Sequence, residues 1–140
     1  MAINRLACQE IILRALLKRG WFDEDTQRIK ADAFILDRNK DQDGLSVNIL
    51  SQTTVDQWLS SFNRSFGADS LHAGSIRDID KRLDVGQSRE DALTQPEHAV
   101  ILGLPFPDDD PELAESLASR LAEISRMLDR TERRRRAART

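Results

Sequence analysis

The sequence predicts an α+β fold in a single compact domain. Three observations predict it. Apolar spacing switches along the chain between the 3.6-residue period of helices and the two-residue period of strands. The segments run helix, two strands, helix, strands, terminal helix, without the regular alternation of βαβ units. At 140 residues, 39% of them hydrophobic, the chain has enough apolar material for one core. The expected body is residues 1–130, a small sheet of four or five short strands packed by an N-terminal, a middle and a long C-terminal helix, with residues 131–140 as an Arg-rich disordered tail.

Residues 4–19, "NRLACQEIILRALLKR", place Leu6, Ile12, Leu13, Leu16 and Leu17 on one broad helical face, with Asn4 as cap and Gly20 as stop. A polar connection follows, whose Trp21-Phe22 pair packs back on the core. "AFILD" (33–37) reads as a strand and "GLSVNIL" (44–50) as its partner, because Leu45, Val47 and Ile49 alternate with Ser46 and Asn48. In residues 53–66, Val55, Trp58, Leu59, Phe62 and Phe66 return to helical spacing. "SLHAGSIRDI" (70–79) reads as a strand interrupted near Gly74, "RLDVGQ" (82–87) as a short strand, and "SREDALTQPE" as a loop or one helical turn. "HAVILGLP" (98–105) is the most apolar stretch and is expected in the centre of the sheet. From Pro111 a long helix is expected, capped by Asp110 and striped by Leu113, Leu117, Leu121, Ile124 and Leu128.

Charge is unevenly placed. Residues 120–140 hold eight Arg against Glu123, Asp129 and Glu132, so the acidic body ends in a basic tail. Scarce aromatics and no Tyr disfavour a base-stacking platform. Cys8 is the one cysteine, which excludes an intrachain disulfide and fits a reducing compartment. There is no membrane-spanning apolar run and no signal-peptide core in "MAINRLACQE", so a cytoplasmic protein is expected.

"NKDQDGLSV" (39–47) resembles the first half of a calcium loop, with Asn39, Asp41, Asp43 and Gly44 in place. Counted from Asn39, however, the position of the bidentate glutamate is Leu50 and the apolar eighth position is Ser46. Turn chemistry explains the same letters, so a hairpin loop and no metal is the reading adopted. His72 and His98, with Arg77, are candidates for a base, an acid and a cation in a small nucleotide- or RNA-directed enzyme. The alternative is that each histidine is structural. The glycines belong to no phosphate-binding fingerprint, Cys8 has no CxxC partner, and Asp108, Asp109 and Asp110 read as a solvated, helix-capping run. No cofactor is expected.

The remaining signals are at the C-terminal end. Arg130, Arg133, Arg134, Arg135, Arg136 and Arg139 can contact phosphates or an acidic protein partner. Leu117, Leu121, Ile124 and Leu128 follow coiled-coil spacing for under two heptads, so packing on the sheet is the first reading and a homodimer through this helix the second.

The segments around Ala33-Phe34, Gly44-Leu45-Ser46-Val47 and His98 to Pro105 resemble a loosely defined family of small bacterial proteins with an AF…GLSV…HAxIxGLP pattern. The resemblance spans roughly residues 21–105 and implies one compact domain from a bacterium. It brings no established activity, and it marks Ser46 and His98 as the polar positions of interest. Three functions are therefore expected in turn. The first is a non-enzymatic accessory protein contacting a partner through its C-terminal helix and Arg tail. The second is the small enzyme using His72, His98 and Arg77. The third is a nucleic-acid-binding regulator using residues 126–139.

Overall fold

The computed structural model describes residues 3–54, 57 and 67–129. The expected middle helix, 53–66, and the Arg tail, 131–140, fall almost wholly or wholly outside the described residues. The fold is mixed α+β, but the sheet is larger than expected. Among the described residues, seven antiparallel strands lie in the order β1-β7-β8-β5-β2-β6-β9. They are β1 (Ile3–Arg5), β2 (Ile11–Ala15), β5 (Leu45–Ile49), β6 (Ala68–His72), β7 (Asp84–Ser88), β8 (His98–Leu102) and β9 (Arg126–Asp129). A separate ribbon pairs β3 (Phe22–Asp23) with β4 (Arg28–Ile29). The described helices are α1 (Ala73–Ile79), α2 (Arg89–Thr94) and α3 (Pro111–Ile124). No described helix is long and apolar enough to cross a membrane.

The N-terminal helix is corrected to two strands. β2 is an inner strand between β5 and β6, and it is buried on both faces. Ile12 and Leu16 enter the main core, while Leu13 and Ala15 join Ala68 on the opposite face. A strand covered on both sides has no reason to alternate, so "IILRALL" shows a dense apolar run that also satisfies helical spacing.

The strand expected at 33–37 is also corrected. Ala31–Phe34 form a 3-10 turn, which buries Ala33 and Phe34 beneath α3. No hairpin therefore joins it to β5. The neighbours of β5 are β8 and β2.

β5, β7 and β8 appear where alternation or apolar density placed them. β8 pairs on both sides, and Ile101 within it is fully buried. "SLHAGSIRDI" switches at His72 from strand to α1. α3 starts as its letters require: the Asp110 carboxylate accepts from the Leu113 N–H at 3.1 Å, and Pro111 opens the helix. It stops at Ile124, earlier than the stripe suggested. Ser125 is extended and Leu128 lies in β9, which pairs with β6. α1, α3 and the 3-10 turn cover one sheet face. Ile76, Phe34, Leu117 and Leu121 meet Val47, Leu71, Val85 and Ile101 there, each fully buried side chain contributing roughly 1.5–3 kcal/mol.

Candidate functional site

A cavity of about 1140 Å³ opens where β2 and β5 diverge. The two strands pair only through Ile12–Ile49 and Leu13–Asn48. Beyond them the Arg14 side chain bridges the gap, with Nε donating to the Ala33 carbonyl at 3.0 Å and Nη1 to the Ser46 carbonyl at 2.9 Å. Its guanidinium lies 5.1 Å from the centre of the Trp21 ring, and the Lys18 ammonium lies 5.9 Å from the same ring. Lys40, Asp32, Asp37 and Asp41 complete the charged lining.

Arg14 is the unusual member. Burial draws its pKa down to about 10, against a smaller opposing pull from the Asp41 charge. Among the described residues it has no carboxylate within ion-pair distance, and it donates to the backbone carbonyls of Ala33 and Ser46. Asp41 is itself engaged, since its Oδ2 accepts from the Asp37 N–H at 2.7 Å. That bond, with the Gly44 N–H donating to the Asp41 carbonyl, closes the 37–44 loop as a structural turn. No described group of three or more His, Cys, Asp or Glu is gathered as a metal site.

On the rim of the same cavity, Ser46 takes part in a second constellation. Asn48 stands opposite His98 in the β5–β8 register, so Ser46 is the diagonal neighbour of His98 on one sheet face. His98 Nε2 lies 3.4 Å from Ser46 Oγ, and His98 Nδ1 lies 2.8 Å from Asp91 Oδ2. An ionised carboxylate only accepts, so in the neutral imidazole Nδ1 carries the proton and Nε2 turns its lone pair to the serine hydroxyl. The surroundings hold this geometry. Ser88 Oγ accepts from the Asp91 N–H at 3.1 Å, capping α2, and Gln87 Nε2 donates to the Pro96 and His98 carbonyls at 2.7 and 2.9 Å. The His98 and Asp91 side chains are 29% and 26% exposed, whereas Ser46 is open to solvent, so the pair is sheltered and the hydroxyl reachable.

The other sequence candidates lie elsewhere. His72 ends β6, exposed, and its side chain makes no bond to cap α1. β5 and β2 separate β6 from β8, which places the two histidines ~14 Å apart at about 4.8 Å per strand. They do not form a base–acid pair. Arg77 is a structural clamp: Nε donates to Asp84 Oδ1 at 2.7 Å, and Nη2 to the carbonyls of Leu6 at 2.6 Å and Val85 at 3.2 Å. It fastens α1 to β7 and to the segment after β1. Leu117 and Leu121 are buried in the chain's own core and so do not present an open seam. Arg130, Arg133, Arg134, Arg135, Arg136 and Arg139 lie outside the described residues.

Sequence reading missed Arg14 and Asp91. Arg14 had one signal, a lone cation inside the apolar run "IILRALL". Asp91 had another: it stands three residues after Ser88, the position whose carboxylate closes a capping box. Here that carboxylate reaches His98. No protein-family model, no curated protein and no solved structure matches the chain.

Proposed function

We propose that this chain is a binding protein whose cavity recognises a small anion, a carboxylate or phosphate, through Arg14. The observation that carries the reading is a half-buried guanidinium with two carbonyl contacts and no carboxylate at ion-pair distance among the described residues. Holding a cation in such a place is costly unless it is paired, and an anionic ligand supplies the missing partner. Lys18 and Lys40 offset the Asp32, Asp37 and Asp41 carboxylates of the same lining, and Leu17, 43% exposed, with Leu36 gives the ligand an apolar surface to lie against. This develops the accessory-protein reading and moves the point of contact from the Arg tail to the cavity. The tail's contact with nucleic acid or an acidic protein rests on charge alone.

The test is thermal stabilisation by a panel of mono- and dicarboxylates and phosphomonoesters, each beside a neutral isostere. A ligand at a hundred times its dissociation constant stabilises by about 2.7 kcal/mol, a rise of several degrees in Tm. At least one anion should produce that rise while its isostere does not, and Lys18→Met and Arg14→Met should weaken or abolish it. Lys18 is exposed, so its variant keeps the fold. A panel without effect, or equal response from Arg14→Met, overturns the reading.

A further inference from the structure

We infer that Ser46 is a nucleophile activated by His98, with Asp91 as the positioning residue, and that it cleaves an ester or thioester of the anion held beside Arg14. The substrate class rests on the proposed function of the cavity; the reactivity of Ser46 does not. Three distances and one exposure carry the inference. Asp91 fixes the imidazole at 2.8 Å, His98 faces the hydroxyl at 3.4 Å, the Ser46 carbonyl is held by Arg14 at 2.9 Å, and the hydroxyl is solvent-accessible. A nucleophile–base separation of this length is common before substrate is bound and tightens in the complex. The Asp91–His98 bond by itself would tie α2 to β8, and Ser88 and Gln87 already secure that turn. A purely structural role therefore gives no reason for Nε2 to meet an exposed hydroxyl.

The chemistry balances with water as the only co-reactant. Ser46 Oγ adds to the acyl carbon while its proton passes to His98 Nε2, and the carbonyl π pair moves onto oxygen. Collapse of the adduct breaks the bond to the leaving alcohol or thiol, which takes the proton from His98 and leaves acyl-Ser46. Water then adds to the acyl carbon. His98 takes its proton and returns it to Ser46 Oγ as the acyl–serine bond breaks, releasing the acid.

The test uses the full chain. A fluorophosphonate probe should label Ser46, read by peptide mass spectrometry, faster than any other serine. His98→Gln should slow that labelling by ~100-fold or more, the scale of general-base assistance. Asp91→Asn should slow it ~10-fold and displace the pH profile of labelling, which loss of a structural tie alone would not do. Melting curves of each variant show that it is folded, and exposed Ser46→Ala serves as the blank. The wild type should also cleave mono-4-nitrophenyl succinate faster than 4-nitrophenyl acetate. Labelling of Ser46 no faster than of other serines, or unchanged in folded His98→Gln, overturns the nucleophile even if anions bind. Labelled Ser46 with no preference for the anionic ester overturns the substrate class instead.

Discussion

Asp69 allows a quantitative test of how the core is assembled. It is 1% exposed on β6, in register with Arg14 on β2 and Met127 on β9, and its Oδ2 has no hydrogen-bond partner among the described residues. Burial raises its pKa from 3.8 to about 6, against weaker opposing pulls from the Ser125 hydroxyl, the Ser70 backbone and the Arg28 charge. The folded state therefore holds the proton more tightly than the unfolded chain. Below pH ~4 both states are protonated and nothing is lost. As pH rises toward ~6 the unfolded chain ionises first, and stability falls by up to about 1.4 kcal/mol per pH unit, then levels off. Over the interval from 3.8 to about 6 the loss is about 3 kcal/mol, a large share of the 5–15 kcal/mol typical of a domain. Asp69→Asn cannot ionise. Urea unfolding of both proteins at pH 3.5, 4.5, 5.5 and 7 should show the variant gaining about 3 kcal/mol on the wild type across the range. The fixed packing cost of Asn and the titration of all other groups cancel in that difference. A difference that stays flat with pH would refute the assignment of a buried, proton-binding carboxylate to this position.

Two further outcomes follow from single contacts. Gly103 has φ +94°, and a Cβ there would collide with the Arg82 carbonyl, so Gly103→Ala should lower unfolding free energy by about 2–5 kcal/mol; a Tm within a degree of wild type would contradict this. Arg77→Met removes the donors to Asp84, Leu6 and Val85, and should cost about 2–4 kcal/mol in urea unfolding while anion binding by the folded protein is retained. Lost binding at unchanged stability would return Arg77 to a functional site.

The local elements were legible where the signal itself is local. Asp110-Pro111 starts a helix because a cap and a fixed φ act within one turn, and Leu45, Val47 and Ile49 mark β5 because one of its faces is more polar than the other. The same rule misread β2, whose two buried faces remove the alternation, and "AFILD", whose apolar letters fill space under α3 without joining a ladder. The number and order of strands depended on pairings such as Arg14–Asp69 and Ile3–Ser88, which join residues far apart in the chain. The site divides in the same way. Sequence resemblance could single out Ser46 and His98, but their meeting across 52 residues, the turn that brings Asp91 to His98, and the divergence of β2 from β5 that strands Arg14 at a cavity were decided only by tertiary structure. Caps, turns and alternation are interactions among near neighbours and are written in the order of residues. Burial of a charge and convergence of side chains depend on which strands lie side by side, and that is set by the packing of the whole sheet.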